Sequence, residues 1–156
     1  MRWLFKFVFV GLVFCAHGSG WAQARKEVLP FNESTWAKLV PEVRQPTAYL
    51  FTTSYCSTCP DAFEVLHKVA QKSQKKIELD VVMMDVEGAQ ALKHARYFQG
   101  LSKLYAFDGF EPSIRQSIDP QWPNVTPYIV LLDGQGKMQK TMGSPSPDML
   151  KKWLDF

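Results

Sequence analysis

Hydrophobic and polar residues follow two different periods along the chain, and each change of period marks a predicted strand or helix. Residues 47–53 form an apolar run rich in aromatic and β-branched side chains, which is typical of a buried strand. From residue 56 onward, apolar residues recur at helical spacing and lysines take the opposite side. These apolar positions are Phe63, Leu66, Val69 and Ala70. The pattern predicts a strand that turns directly into a helix near residue 56.

The middle of the chain continues with a second predicted strand at residues 77–85 and a second helix that Gly100 ends. One face of this helix carries Ala91, Leu92, Ala95 and Phe98. Residues 101–125 have no single period, but they contain several aromatic side chains. Because aromatic rings bury a large area, we expect a packed excursion here and not a flexible linker.

The last part of the chain predicts a hairpin and a final helix. An apolar strand at residues 128–132 and a partner at residues 137–142 flank a turn at residues 133–136 that contains two glycines. Ser146 is a good N-cap, and Pro147 fits the first position of a helix. The chain therefore ends in a helix packed near the hairpin.

The stretch before the first strand, residues 25–46, is a lead-in in which Asn32 or Ser34 caps a short helix that ends near Pro41. The predicted order is then strand, helix, strand, long helical crossover, strand, strand, helix. A strand-helix-strand half followed by a hairpin and a helix predicts an α/β fold, in which helices cover both faces of a mixed central sheet.

The N-terminus has the features of an export signal. Arg2 and Lys6 precede an apolar run at residues 7–16, and Ala22-Gln23-Ala24 supplies the small residues that signal peptidase requires. We therefore interpret residues 1–24 as a signal peptide and expect a periplasmic protein. An uncleaved membrane anchor is the alternative, but the uninterrupted run is about half of the roughly 20 apolar residues that span a bilayer.

Composition and charge indicate one globular domain with no general affinity for nucleic acid. The 156 residues are 46% hydrophobic and 21% charged. Removing residues 1–24 takes away two of the 18 basic side chains and none of the 15 acidic ones. The mature chain then has 16 basic and 15 acidic side chains, so its net charge is about +1. So small a charge excludes a general electrostatic attraction to nucleic acid or to anionic membranes.

The cysteines carry the clearest chemical signal. Of the three, Cys15 lies in the predicted signal peptide, which leaves Cys56 and Cys59 in the run Tyr55-Cys56-Ser57-Thr58-Cys59-Pro60. So short a disulfide loop stabilises a fold little, whereas a pair at a helix start has thiolates favoured by the helix dipole. Such thiols have pKa values lowered from about 8.5 to roughly 3.5–7.5. We predict that Cys56 attacks a client disulfide and that Cys59 resolves the intermediate.

Residues 51–60, the downstream strands and the Thr126-Pro127 dipeptide resemble the thioredoxin superfamily. The export signal and the turn Asp133-Gly134-Gln135-Gly136-Lys137 are most similar to its exported TlpA-like members. The resemblance implies a thioredoxin fold over residues 47–156, with a helical insert at about residues 101–125 in the crossover before the cis-proline strand. It also implies that Pro127 is this cis-proline.

The same resemblance implies which residues contact the client. Thr126 and Pro127 would present backbone to a bound substrate beside the cysteine pair, and the neighbours Tyr55, Ser57 and Thr58 complete the predicted substrate-binding set. No metal or other cofactor is predicted.

The sequence departs from the family pattern in three places. Tyr55 replaces the tryptophan common before the first cysteine, and Leu50 occupies the position of a buried aspartate in thioredoxin itself. The Ser57-Thr58 dipeptide matches none of the well-known pairs that go with strongly reducing or strongly oxidising members. The redox direction is therefore not fixed by these residues.

The short crossover favours a monomeric reductant or maturation factor. It leaves no room for the larger helical domain of a DsbA-type oxidase, and the lead-in is too short for the dimerisation domain of an isomerase. The predicted partners are protein disulfide or dithiol clients and a membrane thiol transducer that supplies electrons. Two alternatives stay open. One is a copper metallochaperone in which the thiolates bind Cu(I) with a nearby methionine or with a histidine, His67 or His94, and the other is a redox-inert thioredoxin-like binding module.

Overall fold

A computed structural model describes residues 27–155 of the chain. The predicted signal peptide and Phe156 lie outside the described residues. The described residues form six strands and five helices. The strands are β1 (Val28–Phe31), β2 (Thr47–Thr52), β3 (Glu78–Met83), β4 (Leu104–Phe107), β5 (Tyr128–Leu132) and β6 (Met138–Met142). The helices are α1 (Thr35–Leu39), α2 (Cys59–Lys72), α3 (Gly88–His94), α4 (Glu111–Ile118) and α5 (Pro147–Leu154), and 3₁₀ turns follow α1 (Val40–Glu42) and α3 (Ala95–Tyr97).

The strands form a single mixed sheet in the order β1-β4-β3-β2-β5-β6. The central strand β2 runs parallel to β3 and antiparallel to β5, with Leu50 opposite Val81 on one side and Ile129 on the other. All six residues of β2 are buried, which explains why its sequence is apolar without alternation. The predicted mixed sheet flanked by helices is confirmed.

Two strands were not predicted from the sequence. β1 lies in the lead-in, and β4 lies in the segment of residues 101–125. The two strands pair in parallel. Each has only four residues, and Pro30 is tolerated in β1 because that strand is at the edge of the sheet. The crossover segment therefore contributes a sheet strand as well as a helix, α4, so it is not a purely helical insert.

Helices bury a separate hydrophobic cluster on each face of the sheet. α2, α3 and α5 cover the first cluster, which includes Cys59, Leu66 and Trp153. α1 and α4 cover the second, which includes Trp36 and Ile114. The prediction for α3 was wrong in one detail, because Leu92 is exposed while its neighbours on the predicted face are buried. Leu92 lies about 100° around the helix axis from Ala91, whereas Ala95 lies about 40° from it, so Leu92 falls outside the buried apolar face.

The start of α5 agrees with the sequence. Ser146 is its N-cap, and the Ser146 Oγ accepts a hydrogen bond from the backbone N–H of Met149 at 3.2 Å. Trp153 in the same helix is fully buried, and its indole N–H donates to the Leu132 carbonyl at 2.7 Å. This bond ties the last helix to β5. Within residues 27–155, no helix has the length and apolar character needed to cross a membrane.

Candidate active site

Cys56 and Cys59 form a disulfide at the point where β2 gives way to α2. The helix begins slightly later than the predicted start near residue 56, because Thr58 is its N-cap and Cys59 is its first residue. Pro60 in the first turn explains this start, because the first N–H groups of a helix have no intrahelical partner and a missing donor costs nothing there. Both sulfurs therefore lie at the positive end of the helix dipole.

The two sulfurs differ in exposure. Cys59 is fully buried in the core cluster beneath the sheet face, whereas Cys56 is only partly buried. The Cys56 Sγ lies 3.9 Å from the Oγ1 of Thr58, which is itself exposed. An incoming thiol or disulfide can therefore reach Cys56 and not Cys59. The attacking role of Cys56 and the resolving role of Cys59 stay predictions.

The loop before Cys56 is fixed by an acid that the sequence analysis did not single out. The Asp85 carboxylate accepts two hydrogen bonds from Ser54, one from its backbone N–H at 2.8 Å and one from its hydroxyl at 2.6 Å. Asp85 follows β3, whose end lies beside the end of β2 in the parallel pair. The position of Asp85 just after a predicted strand is a sequence signal for this role, because the carboxyl ends of parallel strands meet at one edge of the sheet.

The Thr126–Pro127 peptide bond is cis, as predicted. β5 begins at Tyr128, which pairs with Phe51 near the end of β2, so the dipeptide lies at the same sheet edge as the disulfide. Pro127 is buried and its carbonyl accepts a hydrogen bond from Gly143 at 2.9 Å, whereas Thr126 is half-buried. Their role as substrate contacts stays a prediction.

The segment before the cis-proline is held by aromatic and polar contacts. Trp122 stacks on Tyr128 with ring centroids 4.3 Å apart, and its indole N–H donates to the Val125 carbonyl at 3.0 Å. The Tyr128 hydroxyl donates to the Asp119 carboxylate, and this bond is the main cause that holds the pKa of Asp119 below its usual range. The crossover segment thus positions one side of the site.

A cavity of about 350 Å³ opens beside the disulfide. Three residues of the predicted site line it: Tyr55, Cys56 and Ser57. The opposite wall comes from β3 and the end of the crossover helix, and its members are Met83, His94, Tyr97 and Phe98. Thr58, Thr126 and Pro127 are not among the residues that line it. No pattern in the sequence predicts this cavity, because its opposite wall forms only when α3 and its 3₁₀ turn pack near the cysteine loop.

The site has no buried acid on the cysteine face at the position that thioredoxin uses. Leu50 is fully buried in the same cluster as Cys59. The buried acid of the sheet is Asp80, but its neighbours Leu79 and Val81 share the cluster of Cys59, so alternation along β3 points Asp80 to the opposite face. Burial raises the pKa of Asp80 to about 7, although Lys103 opposes the shift. Asp80 therefore does not replace the missing acid.

The two histidines named as alternative metal ligands lie apart from each other. His67 stacks on Phe63 and contacts Gln71 at 3.3 Å, and His94 lines the cavity beside Cys56. Among the described residues, no group of three or more histidine, cysteine, aspartate or glutamate side chains is arranged to hold a metal ion.

Several solved structures are similar to this chain over most of its length. Mycobacterium tuberculosis DsbF is 16% identical, with 72% of this chain and 81% of that chain covered at a TM-score of 0.53. A secreted M. tuberculosis disulfide oxidoreductase homologous to Escherichia coli DsbE is 15% identical, with 72% and 83% covered at 0.52. The thioredoxin domain of a Bacteroides vulgatus thiol-disulfide oxidoreductase is 16% identical, with 73% and 79% covered at 0.53.

Comparisons by sequence gave no match, either to a protein-family model or to a curated protein. At the identities found by structure, the similarity establishes a shared fold.

Proposed function

We propose that this protein, which has the thioredoxin fold, is an exported thiol-disulfide oxidoreductase that exchanges disulfides with protein clients through Cys56 and Cys59. The observation that carries the proposal is the disulfide itself: it joins a partly exposed sulfur to a fully buried one at the start of a 14-residue helix. A disulfide across three positions constrains the chain little, so a structural role explains it poorly. An accessible sulfur beside a resolving one is what thiol exchange requires.

The reaction proceeds in two steps. In the reduced protein, the Cys56 thiolate attacks one sulfur of a client disulfide, and the other client sulfur leaves as a thiolate. The Cys59 thiolate then attacks the Cys56 sulfur, breaks the mixed disulfide and releases the second client thiolate. The client gains two electrons, the protein is left with the Cys56–Cys59 disulfide, and solvent supplies protons to the released thiolates.

The helix start supports the first step. The unpaired N–H groups of the first turn and the helix dipole favour a negative charge, so a thiolate beside them is stabilised relative to the thiol. The hydrogen bonds from Ser54 to Asp85 fix the loop that carries Cys56, so the thiolate is held in place before the client arrives. The cysteine loop therefore needs little reorganisation during the exchange.

Reduction is the direction that we propose, in the role of a reductant or maturation factor. The crossover contains only α3, β4 and α4, which leaves it without the large helical domain of an oxidase. An exported reductant needs electrons from outside its compartment, and a membrane thiol transducer is the donor that we propose. Arg2, Lys6 and the apolar run after them support export to the periplasm, and we propose that the protein acts there as a monomer.

Catalytic turnover of a disulfide substrate tests the proposal. The reduced protein is mixed with a protein disulfide and excess dithiol, and the rate is compared with that of a variant in which both Cys56 and Cys59 are serine. We expect turnover by the natural protein and only the uncatalysed rate with the double variant. Equal rates would overturn the proposal. A reduction potential near −120 mV, the value of a strong oxidant, would overturn the reducing direction alone.

A further inference from the structure

We propose that the cavity beside Cys56 is a side-chain pocket that selects clients with a large apolar or aromatic residue next to the reacting cysteine. The inference rests on the proposed function and assigns to it a class of substrate. Cys56 itself lines the cavity, so any polypeptide joined to Cys56 through a disulfide must lie beside it.

The walls of the cavity are built for a neutral occupant. Its inner wall is formed by Met83, which is fully buried, and by Phe98, which is 4% exposed. A thioether beside an aromatic ring is a favourable and adaptable surface for another aromatic or aliphatic group. No lysine, arginine, aspartate or glutamate is among the described residues that line the cavity. His94 is the one described lining side chain that can become a cation, so a lysine side chain would lose its water without gaining an opposite charge, and an aspartate would gain one only from protonated His94.

The mouth of the cavity carries two exposed aromatic rings. Tyr55 is 79% exposed and Tyr97 is 66% exposed, and they flank the cavity from the cysteine loop and from the 3₁₀ turn after α3. Exposed tyrosines on two separate elements around one opening are typical of contact surfaces, since each offers a large apolar area at a small entropy cost. Both rings would be partly covered by the client backbone.

The size of the cavity limits what can enter. A volume of about 350 Å³ lies at the lower end of the roughly 300–1,000 Å³ that ligand sites span. It suits one large side chain with the adjoining backbone. The occupant that we propose is therefore a short segment of an unfolded or extended client, held covalently through its cysteine.

A set of matched peptides tests the pocket. Each peptide carries one cysteine activated as a mixed disulfide with thionitrobenzoate, and the residue beside it is phenylalanine, alanine, aspartate or lysine. The Cys56 thiolate of the reduced protein attacks the peptide sulfur and releases the coloured thionitrobenzoate anion, and Cys59 then frees the peptide as a thiol. We expect the phenylalanine peptide to react about tenfold faster than the aspartate and lysine peptides, as a difference in apolar pocket filling allows.

Two single variants separate the pocket from general effects. Tyr97→Ala is expected to slow the phenylalanine peptide several-fold and to change the rates with the alanine peptide and oxidised glutathione less, because neither of these fills the cavity. Phe110→Ala removes an equally exposed ring, 68% accessible, that does not line the cavity, and it should change none of these rates.

The outcomes distinguish the two proposals. If the protein reduces neither the peptides nor oxidised glutathione, the proposed function fails. If all peptides react at one rate, or if the charged peptides react fastest, the pocket proposal is overturned and the proposed function stands.

Discussion

The carboxylate of Asp85 accepts hydrogen bonds from Ser54, which lies two residues before Cys56. It accepts the Ser54 backbone N–H at 2.8 and 3.0 Å on its two oxygens and the Ser54 hydroxyl at 2.6 Å. Because Asp85 follows β3 and Ser54 follows β2, the contact joins two strand ends across 31 residues of sequence. These bonds fix the cysteine loop to the end of β3, and Met83 at the end of the same strand lines the cavity.

Replacing Asp85 with alanine should loosen the cysteine loop. We expect Asp85→Ala to lower the rate of disulfide exchange severalfold and the free energy of unfolding by about 1 kcal/mol, since it removes charge-assisted hydrogen bonds at an exposed site. Exchange kinetics and urea denaturation of the oxidised protein measure the two effects. Ser54→Ala is the matched control: it keeps the backbone donor and should produce a smaller change in both. An unchanged rate in Asp85→Ala would show that the loop does not depend on this contact.

Asp80 should make the protein less stable as the pH rises. Its folded-state pKa is raised to about 7 by burial, while the usual value is 3.8. Below about pH 4, Asp80 is protonated in both the folded and the unfolded state. Between about pH 4 and pH 7 it loses its proton in the unfolded state but keeps it in the folded state, so the folded state becomes less stable as the pH rises. Above about pH 7 this loss of stability is complete. Since one pKa unit corresponds to about 1.4 kcal/mol, a rise in pKa from 3.8 to about 7 corresponds to a loss of about 4 kcal/mol.

Asp80→Asn removes this titration and still accepts the backbone N–H of Lys103, now 3.1 Å from the carboxylate. Urea denaturation at pH 4 and pH 8 should therefore show the variant gaining stability relative to the natural protein at the higher pH. Asp108→Asn, at an exposed acid, is the control and should gain nothing. Parallel pH profiles for the natural protein and Asp80→Asn would contradict the prediction.

Replacing Tyr128 with phenylalanine should raise the pKa of Asp119. The hydrogen bond from the Tyr128 hydroxyl is the largest cause of the lowered Asp119 pKa, ahead of the N–H of Gln121 and the ammonium of Lys140 at 3.2 Å. In the variant, which keeps the ring stacked on Trp122, the pKa of Asp119 should rise toward its usual value in an NMR titration.

A lowered folded-state pKa gives stability that is present above the unfolded-state pKa and is lost as the pH falls through the folded-state pKa. Tyr128→Phe should therefore cost about 1 kcal/mol at neutral pH and less in strong acid. Lys140→Gln is the comparison, with a smaller expected rise in the Asp119 pKa. An Asp119 titration that is the same in Tyr128→Phe and in the natural protein would rule out this assignment of cause.

The sequence predicted the elements whose signals are local. The apolar run of β2, the hairpin of β5 and β6, and Ser146 before Pro147 each depend on neighbours a few residues apart, and all appear in the structure. The cis bond before Pro127 was predicted through resemblance. These features needed no knowledge of how distant segments pack.

The features that were missed depend on distant contacts. β1 and β4 are four-residue strands that gain order by pairing with each other across 76 positions, as in Val28 with Leu104 (104 − 28 = 76). Asp85 acquires its role only when two strand ends meet, and the cavity exists only when Tyr97 packs near the loop of Cys56. No period or motif marks the two short strands or Tyr97, and the position of Asp85 after a predicted strand is the one local signal among these features.

Trapping of a mixed disulfide tests the central claim most directly. Cys59→Ser, which keeps the accessible sulfur, is incubated in parallel with Cys56→Ser, which keeps the buried one, and each is given a client disulfide. Non-reducing electrophoresis and mass spectrometry then measure the covalent complex. We expect Cys59→Ser to accumulate a stable adduct through Cys56 and Cys56→Ser to form little. Equal trapping by the two variants, or none by either, would contradict the assignment of Cys56 as the attacking thiol.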